Sequence, residues 1–412
     1  MKRIVVVGAG AIGLACAYAL ARRGRHVIVL DKGEPGAACT RGNAGWIVPS
    51  LSAPIPAPGM TWTSLKWMLS SDSPLYIAPT AAPRLSRWLW RFWRHCNARD
   101  HQAGLDAVAT LGRGTFAAFD ALARDGVAFE FHRDGLLCVF RDMRYMEAFR
   151  AEFRALRAYG YEVPEPLGAD EVHRLEPGLS HEVTSGFLVP QESHVRPESL
   201  AAGYTATLAQ MGVELRTGVE VQGARVDSRT VVLETTHGAI EAEEMLVAAG
   251  AWSGEVVARL GVRLPVQAGK GYSLTIPGAD TRVRRPLYFG ETKIAVTPFD
   301  RALRFAGTME LSGVNERFDA RRMAGIRTGI ARYFGESLPD GGTEWVGMRP
   351  LTPDGLPMLG RVPGFGNVWV ATGHAMLGIT LAPATGEAMA SLMDGEAQAS
   401  AFTAFEPGRF RW

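Results

Sequence analysis

The 412-residue chain is too long for one ordinary domain, so two are expected, and a hydrophobic content of 47% gives both ample core material. That content excludes disorder as the main state. With 44 basic and 42 acidic side chains the formal charge is only +2, too small an excess for nucleic-acid binding. Thirty-nine of the basic residues (44 − 5) are arginines, so the presence of an arginine carries no functional signal by itself. Cys16, Cys39, Cys96 and Cys138 form no C-x-x-C pair and have no histidine partner at metal-ligand spacing. Free thiols, a reducing cytoplasmic compartment and no metal are expected.

Lys2 and Arg3 precede an uncharged run of 18 residues, Ile4 to Ala21, that has the outline of a leader or a membrane span. The glycines inside it favour a different reading. Arg3 to Val7 reads as a buried strand, Gly8 to Gly13 as the turn GAGAIG, the stretch to Arg23 as a helix, and His26 to Leu30 as a second strand ending on Asp31. In such a unit Gly8 permits the tight turn, Gly10 admits a pyrophosphate to the backbone, and Gly13 lets helix and strand pack closely. The amides at the helix start would hold phosphates, and Asp31 would accept hydrogen bonds from ribose hydroxyls while repelling a 2′-phosphate. NADP is disfavoured; the unit alone leaves NAD and FAD open.

A Gly, Ala and Pro-rich connection follows, through Ala38–Trp46 and Pro49–Gly59. In the aromatic stretch from Trp62 to Arg99, residues Arg84, Arg87, Arg91 and Arg94 share one helical face, with Leu85, Trp88, Leu89 and Phe92 opposite. This amphipathic helix either packs on its own domain, the favoured reading, or lies against a membrane surface. Further helices are expected over 105–124, 144–159 and 197–211, and strands over 129–132, 136–140, 213–221, 230–235, 240–242 and 245–249. Residues 266–276, 294–298 and 303–308 read as antiparallel strands of a second domain. Val368 to Ala371 reads as a strand leading through TGHAMLG into a helix from about Ile379 to Met393, another helix N-terminus suited to a phosphate or carbonyl. No second G-x-G-x-x-G occurs in strand–helix context, which argues against a separate nicotinamide domain.

Six motifs in order resemble the D-amino acid oxidase superfamily of FAD enzymes, and within it the bacterial D-amino acid dehydrogenases, including those acting on D-proline and hydroxy-D-proline. They are GAGAIG with Asp31, TRGNAG (Thr40–Gly45), AAGAWS (Ala248–Ser253), PVQAGKGYSLT (Pro265–Thr275), GMRPLTPDG (Gly347–Gly355) and TGHAMLG (Thr372–Gly378). The resemblance spans nearly the whole chain. It implies an α/β fold with a Rossmann-like FAD-binding domain assembled from discontinuous segments (1–53, 163–262 and 343–412). An inserted α+β substrate domain on an antiparallel sheet would take 54–162 and 263–342, in accord with texture changes near Pro54, Val163, Gly261 and Gly342.

It further implies a non-covalent FAD. Gly8, Gly10, Ala11, Ile12 and Gly13 would hold its pyrophosphate, and Asp31 and Lys32 its adenosine end. Thr40, Asn43, Ala44, Gly45 and Trp46 would line the flavin, Val221 would meet adenine through its backbone, and Ala249 and Gly250 would pass beside the cofactor. Gly373, His374, Gly378, Ile379 and Thr380 would lie near the pyrimidine, where amides stabilise negative charge on the reduced ring. Arg349 would clamp the substrate carboxylate, for which a planar guanidinium is suited, and would border the cofactor.

Tyr272 and Tyr288 are each a hydroxyl donor at the substrate or a buried structural tyrosine. Hydride transfer to flavin N5 needs no base once the substrate amine is neutral, so His374 is read as a packing or flavin-polarising residue before a general base. Lys270 is either near the flavin or a plain strand end. Ala375, where relatives carry glycine, and Trp46 depart from the usual pattern and bear on substrate choice. The implied activity is oxidative deamination of a neutral D-amino acid such as D-alanine, or of D-proline or hydroxy-D-proline, with electrons passed to a quinone or other carrier, in the cytoplasm or peripherally on the membrane's inner face. The alternatives are an oxygen-using glycine or sarcosine-type amine oxidase and a non-catalytic flavoprotein.

Overall fold

The computed structural model describes residues 2–60, 75–278, 283–335, 341–396 and 399–410. Residues 62–74 of the aromatic, arginine-rich stretch lie outside them.

One sheet of six strands runs in the order Glu214–Arg216, His26–Leu30, Arg3–Val7, Glu244–Val247, Val368–Thr372, Met358–Arg361. All neighbours are parallel except the last pair. The unbroken apolar run IVVV follows from this: alternate side chains enter two separate cores, Ile4 and Val6 on one face, Val5 and Val7 on the other. The first core is closed by the helices Ala11–Arg22 and Gly378–Asp394, the second by the three-stranded sheet Val221–Val226, Val231–Thr235, Gly238–Ala242. The stretch 213–221, expected as one strand, is therefore two, Glu214–Arg216 and the start of Val221–Val226, in different sheets. The expected helix 105–124 is also two, Ala98–Gly112 and Thr115–Arg124, broken between Gly112 and Gly114.

The second layer is a nine-stranded mixed sheet. Its long strands Gln267–Pro277, Ala302–Leu311 and Thr343–Leu351 are antiparallel neighbours. Leu287–Phe289 with Leu136–Phe140, and Leu75–Ile77 with Ala302–Leu311, pair in parallel. Sheet membership differs from the expected division at 163 and 343, because Leu167–Gly168, Ser185–Val189 and Thr343–Leu351 all belong to this sheet. Conversely, Val108, Phe119 and Leu122 from the expected substrate segment pack in the core of the first layer. The helix Ala320–Phe334 covers one face of the large sheet, with Tyr333 stacked on Phe289 at 4.0 Å. A small sheet, Trp46–Ile47, Ser193–Val195, Phe131–His132, joins the layers.

The amphipathic helix spans Ala82–His95. It packs Leu85, Trp88 and Leu89 against Leu311 and Leu351, and Trp88 Nε1 donates to the Pro265 carbonyl at 3.0 Å. Trp90 and Trp93 stand out from it, 53% and 57% exposed. No described helix is long and apolar enough to cross a membrane.

A Cβ on Gly13 would fall 1.8 Å from the Gly8 carbonyl oxygen, so the first helix and strand meet with no room for a methyl. Gly13→Ala is expected to cost on the order of 3 kcal/mol or more through overpacking, read as a drop in urea midpoint or loss of soluble protein.

Candidate functional site

The carboxyl ends of three adjacent parallel strands, Arg3–Val7, Glu244–Val247 and Val368–Thr372, open into one pocket of about 1200 Å³, the part open to solvent included. Gly8, Ala248 to Gly250, and Thr372 with His374 come directly from those ends, the usual ligand crevice of an open α/β sheet. Gly8 has φ +113°, and a Cβ there would strike the Ala248 carbonyl at 2.4 Å. Gly10 differs. Its φ of −77° suits any residue, and a Cβ would find only Thr40 Oγ1, at 3.5 Å; the missing side chain leaves space that belongs to the pocket. The helix Ala11–Arg22 begins at this gap with no side-chain cap and no acid in its first turn, so its amides and dipole favour an anion.

Asp31 braces the turn: its carboxylate accepts from Ala9 N at 2.6 Å and from Gly33 N at 2.8 Å. Thr40 Oγ1 accepts from Ala11 N at 3.0 Å. Lys32 sits 4.0 Å above the Trp252 ring at the same end of the pocket, a contact with no signal in the spacing. Val221 lines the pocket too, and its carbonyl accepts a hydrogen bond from Arg259.

At the other end stand Asn43, Gly250, Met348, Pro350, Gly378 and Ile379. His374 is buried there with Nε2 bonded to Thr385 Oγ1 at 3.0 Å and Nδ1 without a partner. Burial pushes its pKa down to about 3, so the ring is neutral. Ala375 takes a left-handed φ of +48°, the conformation that glycine adopts freely. Cys39 is in the wall as well, its thiol pushed up to about 11 by burial and thus a poor nucleophile.

Arg349 is on the strand Thr343–Leu351 between the lining residues Met348 and Pro350 but is not itself among the lining residues, because alternation along the strand turns its side chain to the other face. Its guanidinium covers Gly271 of the neighbouring strand so closely that a Cβ there would lie 2.2 Å from Cζ. Nη1 donates to the Thr308 carbonyl at 2.9 Å, and that carbonyl is turned toward it by a bulge in Ala302–Leu311 where Thr308 has φ +55°. Among the described residues no carboxylate pairs with Arg349, and burial lowers its pKa from the ordinary guanidinium value. A half-buried cation without an acid leaves its charge uncompensated and is suited to pairing with an external anion.

Tyr272 is not beside it. Side chains alternate across a strand, so Tyr272 projects from the face opposite Gly271, into the core under Ala320–Phe334. There its hydroxyl donates to Glu310 at 2.6 Å, and Glu310 pairs with buried Lys270 at 2.8 Å. Of the two readings of Tyr272, this placement agrees with the buried structural tyrosine and not with a substrate contact, and Lys270 belongs to the same buried triad. Tyr288 shares Arg349's face but lies four strands along the sheet, packed edge-on against Trp46 at 5.9 Å. Trp46 is outside the pocket lining: Nε1 donates to Thr297 Oγ1 at 2.9 Å, and its carbonyl accepts from Thr380 Oγ1 at 3.0 Å. Gly13, Ala44, Gly45, Gly373 and Thr380 are not among the lining residues either.

Residues 3–392 match the family of FAD-dependent oxidoreductases. The chain belongs to that family. It is 34% identical over 407 residues to a D-amino acid dehydrogenase of Cereibacter sphaeroides, covering 96% of this chain and 92% of the relative. To a D-amino acid dehydrogenase of a Methylobacterium species it is 32% identical, with 99% of each chain covered. The crystal structure of glycine oxidase from Geobacillus kaustophilus superposes with a TM-score of 0.77 at 23% identity over 100% of both chains, which shows a shared fold.

The family's cofactor fits what the pocket presents. The gap at Gly10, the uncapped helix start and the orphaned Nδ1 of His374 are polar or empty where a dinucleotide would lie. Gly10→Ala is expected to keep the fold, with a thermal midpoint close to wild type, yet to purify with FAD bound at least about tenfold more weakly, read from the flavin-to-protein absorbance ratio during dilution.

The neutral state of His374 has a consequence for stability. An unfolded histidine takes up its proton near pH 6.5 but this one only near 3, so between those values the unfolded chain binds an extra proton and stability falls as pH falls. The slope is about 1.4 kcal/mol per pH unit for one such group. In His374→Asn the urea-measured loss of stability from pH 6.5 to about 5 is expected to be smaller than in wild type by about 1–2 kcal/mol.

Proposed function

We propose that this FAD-dependent oxidoreductase oxidises the Cα–N bond of a neutral D-amino acid such as D-alanine, or of D-proline or hydroxy-D-proline. The product is an imine, which water hydrolyses to a 2-oxo acid and ammonia, or a cyclic pyrroline. The observation that carries the reading is Arg349, a half-buried guanidinium with no acid partner among the described residues, whose charge acts on Cys39 of the pocket wall. FAD, when bound, supplies the two-electron acceptor for the substrate's α-hydrogen.

In this reading Gly8, Gly10, Ala11 and Ile12 hold the pyrophosphate and Asp31 and Lys32 the adenosine. Thr40, Asn43, Ala249, Gly250, Gly378 and Ile379 border the flavin. Arg349 fixes the substrate carboxylate through its planar fork, and Gly271 and the Thr308 carbonyl hold that fork in place. His374, neutral and tied to Thr385, presents a polar atom to the cofactor and transfers no proton. The substrate amine therefore arrives already deprotonated.

The names of the dehydrogenase relatives support an acceptor other than oxygen, a quinone or a carrier protein. Exposed Trp90 and Trp93, with Arg94 over the Trp90 ring at 5.1 Å, support peripheral contact with a membrane that holds such a quinone.

Anaerobic visible spectra of the purified protein test the reaction. D-alanine, D-proline or hydroxy-D-proline should bleach the flavin while their L-forms, glycine and sarcosine do not, and little hydrogen peroxide should form in air. Bleaching by glycine or sarcosine alone would replace the proposal with the amine-oxidase reading. Arg349→Lys should keep its FAD but raise KM for the amino acid at least about 30-fold, equivalent to about 2 kcal/mol of binding.

A further inference from the structure

The small sheet that joins the layers brings together two histidines distant in sequence. His194 stands in register with Trp46 on one side and with His132 on the other, and the two imidazoles stack with centroids 4.7 Å apart. His194 is 1% exposed. Its Nε2 lies 2.8 Å from the Pro298 carbonyl, a group that can only accept, so Nε2 carries the hydrogen and Nδ1 a free lone pair. That Nδ1 is buried and has no partner.

His132 is oriented in the same sense. Its Nε2 lies 3.1 Å from Glu130 Oε1, and Glu130 is itself held by Asp300 N at 2.8 Å and by Arg196 at 3.6 Å. A carboxylate behind one ring nitrogen frees the other for a metal, the arrangement found behind most metal-bound histidines. Asp134 completes the group: one ligand atom from each of His132, Asp134 and His194 lies within 4.8 Å of the other two.

We infer that His132, Asp134 and His194 form a binding site for a divalent transition ion of the zinc class, separate from the FAD pocket. Two imidazoles and one carboxylate favour Zn²⁺, Co²⁺ or Ni²⁺ over Ca²⁺ or Mg²⁺. Bonds of about 2.0–2.2 Å require His132 to turn out of its stack on His194, where the ring planes are 18° apart, and Asp134 to close in; these two side chains are half-buried and exposed. Their exposure leaves a fourth position for water. A metal-free alternative gives the stacked pair a packing role only, and leaves the buried lone pair of His194 unsatisfied without return.

The test is equilibrium dialysis of the FAD-loaded protein against Zn²⁺ after chelator treatment, with metal and protein quantified and thermal midpoints recorded with and without Zn²⁺. One Zn²⁺ per chain and a raised midpoint are expected. His132→Asn and Asp134→Asn should each weaken binding at least about tenfold and abolish the rise, while matching the metal-free midpoint of the wild type. Glu130→Gln, which removes no ligand, should weaken binding about 10–100-fold. His237→Asn, on the exposed turn of another sheet, should change nothing. Absence of saturable, one-to-one Zn²⁺ binding would overturn the site, and so would binding that persists undiminished in both His132→Asn and Asp134→Asn.

Discussion

The contact on which the molecule depends is the approach of Gly13 to Gly8 and of Gly8 to Ala248. It presses the first helix against the first strand and that strand's end against its parallel neighbour. Because these backbones touch, three strand ends converge and the pocket opens over them. Because Gly10 offers the helix start no side-chain cap and Thr40 engages the Ala11 amide, the pocket presents the remaining first-turn amides and positive dipole to whatever it binds. The apolar strands behind it are buried on both faces, so the floor of the site is among the least deformable parts of the chain.

The large sheet divides its two faces by task. One face is sealed by Ala320–Phe334 and holds Tyr272, Lys270 and Glu310 in a buried polar triad that also engages Asn315 and the Arg317 carbonyl. The other carries Arg349, Tyr288 and the Trp46 contact with Thr297. A single bulge at Thr308 serves both: it shifts the register between Lys270 and Tyr272, and it turns a carbonyl toward Arg349. The orientation of the guanidinium is thus decided by backbone geometry on a strand two places away.

Much of this was legible in the residues. GAGAIG with Asp31 carries its geometry in its letters, because each glycine answers a steric demand within a few residues. The strands 245–249 and 368–371 were legible from their unbroken apolar runs. What escaped was set by pairing between distant segments. Tyr272 and Arg349 sit in neighbouring motifs, but which face each occupies depends on strand alternation and on a bulge with no sequence signature. The run 213–221 has one texture, yet its halves join different sheets because the chain turns between Arg216 and Val221. His132 and His194 show no ligand spacing, since only antiparallel pairing through Phe131–His132 and Ser193–Val195 makes them neighbours. The break between Ala98–Gly112 and Thr115–Arg124 was visible in two glycines, and the helical periodicity on either side concealed it.

Both sheets are woven from early, middle and late parts of the chain. The six-stranded sheet begins with Arg3–Val7 and is completed only by Met358–Arg361 and Val368–Thr372, after which Gly378–Asp394 closes the core over the first helix. On the ribosome, the first strands must therefore wait with exposed apolar faces until the segment through Asp394 has been made. Neither layer can mature ahead of the other, and FAD has no finished pocket to enter before Gly378–Asp394 docks. Synthesis, cofactor loading and final folding are in consequence one late event, in which a shortage of the vitamin-derived cofactor would be felt as a shortage of folded protein.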